Sequence, residues 1–418
     1  MGVLKWIGAL VVLVGFAGGE LEVVYEWPLL TYQQAPHNYP TNQDFTPERT
    51  VFTGVEVGWD RIYLATPRIW SGNPATLAVL PRPKNGYPRD SSPQLQPYPS
   101  WEWHADSVAG DPQRSNCSGL VSVFRIRADR CNRLWVLDSG VLDSLVTFTI
   151  ACPPRLLVFD MATDRLVRSI TLPQEVLRRN TLLTNLVIDE PEDGLNRSPS
   201  LESCDSAFVY MSDSTNPGLI VYDSKRDAAW RLSHPQMFPD PDFGTYRVAG
   251  ESFTLMDGII GLTLSGAGVH PKRLFFQPFA SDRLLSVETS VLQRGPNPGD
   301  DSELPVALVG YKSSQAAGLA VDPRDGAVVF SPVSETAIAS WIPGSPNHRV
   351  VAYNPELLQF TLDFRSADRD SGVIWFLTTK FQKIFRRTLD QNDMNLRIMR
   401  IVEPNNYFNN TLFLYKKK

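Results

Sequence analysis

The stretch VFRIRAD at residues 123–129, followed shortly by LWVL at residues 134–137, decides the fold. It reads as a short apolar strand that ends in Asp, a turn, and a second strand that is apolar on both faces. Asp suits the end of a strand because its carboxylate accepts hydrogen bonds from backbone N–H groups of the turn. A strand that is apolar on both faces is typical of one covered on both sides by neighbouring sheets.

This unit recurs along the chain. The first strands end at Asp60, Asp129, Asp189, Asp257, Asp322 and Asp363, and the second strands follow at 61–65, 134–137, 207–211, 259–262, 327–330 and 373–377. Third and fourth strands are visible at 156–160 with 166–170, and at 219–223 with 229–232. Six repeats of four strands predict an all-β fold, a six-bladed β-propeller, formed by residues 20–418 as one domain. The alternative is a pair of β-sandwiches whose strands are similar by coincidence.

Composition excludes several classes of protein. The 418 residues are 43% hydrophobic and 20% charged, which is typical of a globular chain and not of a disordered one. The net charge of −5 provides no basic field for nucleic acid. With 5 His and 4 Cys, no metal site and no cofactor are predicted. The motifs of zinc proteases, serine hydrolases, P-loops and dinucleotide-binding folds are absent, so no catalytic residue is assigned.

The N-terminus predicts secretion. Residues 1–19 have the pattern of a signal peptide, with Lys5, an apolar stretch at 7–16 and small residues at 17–19. The apolar stretch is too short to cross ~30 Å of hydrocarbon, and no later segment approaches 18 apolar residues, so no membrane span is predicted. We therefore expect a secreted, extracellular protein.

The cysteines and glycosylation motifs fit that compartment. An even set of four cysteines in an oxidising environment predicts two disulfides. In the blade model, Cys131 and Cys204 both lie between first and second strands, whereas Cys117 and Cys152 lie at the other end of the blades. We expect the pairs Cys117–Cys152 and Cys131–Cys204. Three sequons make Asn116, Asn196 and Asn409 candidate N-glycosylation sites.

Several stretches resemble the yellow / major royal jelly protein family of insects. They are ATPR at 65–68, LWVLDSG at 134–140, PRLLVFD at 154–160, AGESFTLMDG at 249–258 and ETAIASW at 335–341. The resemblance implies a secreted, glycosylated six-bladed propeller. It also implies one of several roles, because some members convert dopachrome in melanin formation, some bind biogenic amines, and royal jelly members are nutritive and assemble with partners.

The ends of the second strands and the starts of the first strands should share one mouth of the axial channel. There Arg68 could bind a carboxylate, Asp138 or Asp213 could bind an amine, and Trp341 could supply an aromatic face. The resemblance to the amine-binding region adds Thr336 and Asn347. For every one of these candidates the alternative is a structural role in turns, and Arg68 could simply pair with Asp138.

Other polar residues are interpreted as structural. The turn aspartates 60, 129, 189, 257 and 322 are expected at the opposite end of the axis from the mouth. His104 and His270 are read as loop residues, for which surface imidazoles are commoner than general bases. Ser265 is expected at the mouth, as the end of a second strand.

The sequence thus predicts a secreted protein of cuticle pigmentation and the melanin pathway. It would bind a small aromatic amine or a dopachrome-like ligand, and the enzyme hypothesis is conversion of dopachrome to dihydroxyindole. The alternative is a non-catalytic amine-binding or structural extracellular protein of the royal jelly type, with a matrix or protein partner.

Overall fold

The fold was established from a computed structural model that describes residues 20–36, 45–83, 91–105, 117–191, 200–295 and 304–402. The predicted signal peptide at 1–19 and the three sequons at Asn116, Asn196 and Asn409 lie outside the described residues. Strands dominate the described part of the chain, as the alternating apolar segments and frequent turn residues predict.

The strands are numbered in chain order. They are β1 (Glu20–Trp27), β2 (Gly54–Val57), β3 (Arg61–Ala65), β4 (Leu77–Pro81), β5 (Gln96–Pro97), β6 (Val123–Ala128), β7 (Arg133–Asp138), β8 (Val141–Leu142), β9 (Thr149–Ile150), β10 (Arg155–Asp160), β11 (Leu166–Thr171), β12 (Leu183–Asp189), β13 (Phe208–Asp213), β14 (Gly218–Asp223), β15 (Ala228–Leu232), β16 (Thr245–Val248), β17 (Glu251–Thr254), β18 (Ile259–Leu264), β19 (Arg273–Pro278), β20 (Arg283–Glu288), β21 (Ala307–Tyr311), β22 (Ala320–Val321), β23 (Val328–Phe330), β24 (Ala337–Trp341), β25 (Arg349–Tyr353), β26 (Phe360–Ala367), β27 (Val373–Thr379) and β28 (Leu396–Val402).

Helices within the described ranges are short. The α-helices are α1 (Glu102–Ala105), α2 (Leu201–Cys204), α3 (Thr289–Leu292) and α4 (Phe381–Arg386), and 3₁₀ turns occur at Pro47–Arg49, Gln174–Val176, Pro235–Met237, Pro241–Phe243 and Asp368–Asp370. Among the described residues, no helix has the length and apolar character needed to cross a membrane.

Six four-stranded antiparallel sheets form the blades of a β-propeller. From the axis outward, blade I is β2-β3-β4-β5, blade II is β6-β7-β10-β11 and blade III is β12-β13-β14-β15. Blade IV is β18-β19-β20-β21, blade V is β22-β23-β24-β25 and blade VI is β26-β27-β28-β1. Each inner strand contacts the inner strand of the next blade, and β26 contacts β2, so the ring closes. The predicted fold class is confirmed.

The N-terminal strand completes the last blade. β1 pairs with β28 from Glu20 opposite Val402 to Trp27 opposite Leu396. Ion pairs support the seam, because Arg400 binds Glu22 at 2.9 Å. This pairing joins the two ends of the described chain within one sheet. The repeat alone does not predict β1, because its blade partners lie far away in sequence.

Two predicted units differ from the structure. Residues 253–257 do not form an inner strand: β17 pairs with β16 in a separate hairpin, and β18 is the inner strand of blade IV. In blade VI, Asp363 lies inside β26 and does not end it. Both errors arose because a short apolar segment followed by Asp has the same pattern in a hairpin, in a strand interior and at a strand end.

The core lies between the blades. The second strands are buried along nearly their whole length, and Trp135 and Trp375 on β7 and β27 are almost fully covered. Sandwiching between neighbouring sheets explains why these strands are apolar on both faces. The two disulfides join Cys117 to Cys152 and Cys131 to Cys204, the pairs expected from the blade positions.

Candidate functional site

A buried ion cluster joins the inner strands of blades VI, I and II. Asp363 on β26 binds Arg125 at 2.5 Å and Arg127 at 3.0 Å, both on β6, and accepts the N–H of Val55 at 3.0 Å. Burial disfavours the ionised form of Asp363, but the charges of the two guanidinium groups together have the larger effect. They hold the pKa of Asp363 below its usual value. Successive odd residues of one strand point to the same face, which is why Arg125 and Arg127 both reach the axis.

The mouth cavity lies on one side of this cluster, where the inner strands begin. It has a volume of about 70 Å³, and its walls are mostly apolar, including Phe124, Leu182, Ile260 and Phe381. The charged residues that line it are Arg125 and Asp257. The cavity therefore combines one acid, one cation and an apolar wall, which is the usual composition of a small-molecule site.

Asp257 lies in the segment that leads from the hairpin β16–β17 into β18. Among the described residues, no hydrogen bond reaches its carboxylate, while its backbone carbonyl accepts the N–H of Ala280 at 3.1 Å. Burial, with a further contribution from the charge of Asp213, raises the pKa of Asp257 to about 7. A carboxyl group with such a pKa can both accept and donate a proton near neutral pH.

Arg125 is almost completely buried and faces the same cavity. Its Nε has no hydrogen-bond partner in the described part of the chain. A buried donor without a partner is costly, so a ligand oxygen that accepted a hydrogen bond from it would be well stabilised. Arg125 thus brings to the wall of the mouth cavity a positive charge that it shares with Asp363.

Aromatic side chains cover the mouth cavity from outside. Phe381, the first residue of α4, lies 5.2 Å from Phe360 and 5.8 Å from Phe253 between ring centroids. Phe253 belongs to β17, so the hairpin β16–β17 and α4 pack against each other over the mouth. The hydroxyl of Thr388 donates to the carboxylate of Glu251 at 2.8 Å and joins the two elements. We call α4 and the hairpin β16–β17 the cover.

The family model for the major royal jelly proteins matches residues 121–409 of the chain. The chain belongs to this family. Among its relatives, "Dopaminechrome tautomerase" of Drosophila melanogaster is 29% identical over 421 residues, covering 94% of this chain and 86% of the relative. "Protein yellow" of Drosophila melanogaster is 31% identical over 395 residues, covering 92% of this chain and 69% of that protein. "Protein yellow" of Drosophila yakuba is 31% identical over 394 residues, with the same coverage.

In this member of the royal jelly family, Arg68 lies between blades I and II and binds backbone. Its guanidinium donates to the carbonyls of Asn73 at 3.0 Å, Val121 at 2.6 Å and Pro74 at 3.0 Å. Arg68 thus fixes several loops at the mouth end of the ring. It does not line the mouth cavity, so its role with a carboxylate ligand stays a prediction.

Asp138 and Asp213 occupy equivalent places at the ends of β7 and β13. Asp138 binds Arg155 at 3.0 Å, and Asp213 binds Arg231 at 3.1 Å. Each carboxylate also accepts a backbone N–H next to the start of its own inner strand, from Val121 at 3.0 Å and Leu182 at 3.1 Å. This repeated arrangement fixes the mouth end of blades II and III. Neither residue lines the mouth cavity.

The other predicted ligand residues lie in blade V. Thr336 precedes β24 and is at the mouth end, whereas Trp341 ends β24 opposite Val328 and therefore lies at the other end. Asn347 follows Trp341 in an exposed loop at that other end. The structure does not bring these three residues together at one mouth, because β24 runs the full height of the blade between them. Ligand contacts by them stay predictions.

Two further placements correct the sequence analysis. Asp257 is at the mouth and not at the opposite end, and Ser265 is at the opposite end and not at the mouth. Both were misplaced because residues 259–264 form an inner strand and not a second strand. Asp257 directly precedes Gly258 and an apolar strand, a pattern that also indicates the loop before a strand. Because other first strands in the repeat end in Asp, the sequence instead favours Asp257 as the end of a strand.

The histidines also differ from expectation. His104 is fully buried in α1, where its Nδ1 accepts the N–H of Thr76 at 3.3 Å. Burial, together with the nearby charge of Arg68, lowers the pKa of His104 to about 3. It is a structural imidazole, whereas His270 is exposed as expected. In the described part of the chain, no group of three or more His, Cys, Asp or Glu residues could hold a metal ion.

Proposed function

We propose that this chain converts an aminochrome, the cyclised quinone of a catecholamine, to its dihydroxyindole tautomer in the mouth cavity. The observation that carries the proposal is that Asp257, whose carboxylate has no hydrogen bond among the described residues, shares an apolar cavity with the buried guanidinium of Arg125. A tautomerase needs a base beside a cation in a site that excludes water.

In the proposed reaction a proton leaves one carbon of the saturated ring and is accepted by the carboxylate of Asp257. The electron pair of that C–H bond moves into the ring system, negative charge develops on a quinone oxygen, and Arg125 stabilises this charge until the oxygen takes up a proton. The quinone methide formed in this way loses a second proton from the neighbouring ring carbon, and the other oxygen takes up a proton to give the dihydroxyindole. Atoms and electrons balance without an external oxidant, because the product is an isomer of the substrate.

Family membership supports this choice of chemistry. One relative is named a dopaminechrome tautomerase and covers most of this chain. A role in cuticle pigmentation and melanin formation, and secretion guided by residues 1–19, belong to the same proposal. N-terminal sequencing of protein secreted from insect cells should begin at Glu20, and retention in the cell would contradict secretion.

Binding requires the cover to move. The mouth cavity of about 70 Å³ is well below the several hundred Å³ that are usual for a ligand pocket. Displacement of Phe381 or of the hairpin β16–β17 would enlarge it. Amine binding without chemistry is the second candidate, since an ionised Asp257 beside Phe279 and Phe381 would also suit a protonated aromatic amine.

The test follows the visible absorbance of dopaminechrome with purified mature protein, the Asp257→Asn variant and the Asp60→Asn variant. Asp60 is exposed in a turn away from the mouth, so Asp60→Asn is the matched control. We expect Asp257→Asn to slow conversion by about 100-fold or more, as removal of a general base does, and Asp60→Asn to have no effect. Saturable dopamine binding with no acceleration by the wild type would establish the second candidate instead.

A further inference from the structure

A second cavity opens at the other end of the propeller axis, on the far side of the ion cluster. Its volume is about 270 Å³, and it is lined by the C-terminal ends of β6, β12, β18, β22 and β26 and by the turns that follow them. We call it the rear cavity. Arg127 and Arg365 line it, whereas Arg125 lines the mouth cavity, so the bridge from Arg125 through Asp363 to Arg127 separates the two spaces.

The buried side of the rear cavity carries more positive than negative groups. Three guanidinium groups, those of Arg125, Arg127 and Arg365, face two buried carboxylates, those of Asp363 and Glu56. A third carboxylate, that of Asp368, also acts on Arg365, but it is exposed at the opening, where water screens its charge. A singly charged anion bound on the buried side would therefore lie next to positive charge.

The guanidinium group of Arg365 can donate further hydrogen bonds. Its Nε donates to Glu56 at 2.8 Å, and within the described residues its two terminal nitrogens make no hydrogen bond. The side chain keeps 19% of its surface accessible, through the cavity that it lines. A guanidinium edge with two free N–H donors matches the two oxygens of a carboxylate.

The other residues that line the rear cavity indicate the chemistry of the rest of the ligand. Val187, Leu262, Leu319 and Phe364 supply apolar surface, and Thr263 supplies a hydroxyl. Two acidic residues also line the cavity: Glu190 is paired with Arg130 at 3.6 Å, and Asp368 is exposed. These carboxylates near the opening disfavour a doubly charged phosphate more than a single carboxylate.

We propose that the rear cavity binds a small monocarboxylate with an apolar body, held by Arg365. The site is separate from the proposed aminochrome site and does not depend on it. A royal jelly family protein would then have a ligand site at each end of its axis.

Calorimetric titration of the full mature protein with phenylacetate tests this proposal, and phenylacetamide serves as the uncharged control ligand. Arg365→Lys keeps a positive charge beside Glu56 but removes the guanidinium edge. Thr263→Phe fills the cavity without touching the ion cluster. Each variant should weaken phenylacetate binding tenfold or more, and phenylacetamide should bind the wild type at least tenfold more weakly than phenylacetate. Circular dichroism verifies that the variants are folded.

Asp257→Asn separates the two ends of the axis. It should abolish aminochrome conversion if the proposed function is right, and it should leave phenylacetate binding unchanged in either case. The rear-cavity proposal is overturned if the wild type does not bind phenylacetate at millimolar concentrations. It is also overturned if Thr263→Phe, in folded form, binds as the wild type does, or if Asp257→Asn abolishes binding, since that would place the ligand at the mouth.

Discussion

At the scale of single residues, Asp257 and Asp363 show how one residue type takes opposite roles a short distance apart. Asp363 is ion-paired to two arginines, so its pKa is lowered and it stays ionised. Asp257 is partly buried and has no such partner, so the loss of solvation raises its pKa to about 7. Environment and not residue type separates a structural carboxylate from a candidate acid–base group.

The pH dependence of conversion reports on Asp257. If its carboxylate is the base, kcat/KM for dopaminechrome should rise with pH and level off above an inflection near pH 7. The contribution of Asp257 to stability should change in the opposite sense: because the pKa of Asp257 is higher in the folded protein than the ordinary value near 4, this contribution falls as pH rises from about 4 to 7. Rates and urea denaturation of the wild type and of Asp257→Asn, measured from pH 4 to 9, check both. Asp257→Asn should abolish the inflection in rate and remove this contribution to stability, while the opposite contribution of His104, whose pKa is lowered to about 3, remains. An inflection in rate that persists in this variant would assign it to another group.

Removal of the Asp363 carboxylate should destabilise the whole protein. Asp363→Asn leaves Arg125 and Arg127 buried without their shared counter-ion, which typically costs about 3–5 kcal/mol. Urea denaturation followed by tryptophan fluorescence measures the loss. Asp60→Asn is the control and should change the free energy of unfolding by less than about 0.5 kcal/mol, as exposed substitutions do. Equal changes in the free energy of unfolding for the two variants would mean that the ion cluster does not stabilise the folded protein.

At the scale of elements, the cover shows where sequence patterns stop being informative. Residues 253–257, which begin in β17, are a short apolar segment that ends in Asp, so the sequence predicts a blade strand there. The sequence predicts the strand order of blades II and III because the turns between their third and fourth strands are short and their second strands are apolar on both faces. The register of β1 against β28, and the cover itself, depend on contacts between segments far apart in sequence, which periodicity does not encode.

The hydrogen bond from Thr388 to Glu251 should control how often the cover opens. Thr388→Val removes the donor with little change in shape, and because the bond is exposed to water its loss costs about 0.5 kcal/mol. Amide hydrogen exchange of residues 245–254 should therefore become roughly twofold faster, since local opening sets the exchange rate. Exchange of β7, deep in blade II, is the internal control. Unchanged exchange in the hairpin would show that aromatic packing alone keeps the cover closed.

At the scale of the whole molecule, the sequence repeat predicts the fold and the two disulfides. The residues of the candidate site could be identified only from the structure. Blade geometry assigned Cys131 and Cys204 to the same end of neighbouring blades, and such a placement follows directly from strand order. The candidate site instead combines Arg125 on β6 with Asp257 on the entry to β18. These residues belong to different blades and to no shared motif, so only ring closure brings them to one cavity.

Each disulfide should stabilise the folded protein by an amount that depends on the length of chain between its two cysteines. Cys117 and Cys152 are 35 residues apart, and Cys131 and Cys204 are 73 apart. In the chain-entropy model, crosslinks of these lengths restrict the unfolded state by about 3.8 and about 4.4 kcal/mol, so their removal should lower the free energy of unfolding by similar amounts. Equilibrium unfolding of the paired Cys→Ala variants measures both losses. Because Cys131–Cys204 joins blades II and III, its removal should also speed exchange at the seam between them. A larger loss for the Cys117–Cys152 variant would contradict the entropic account and point to native contacts around that bond.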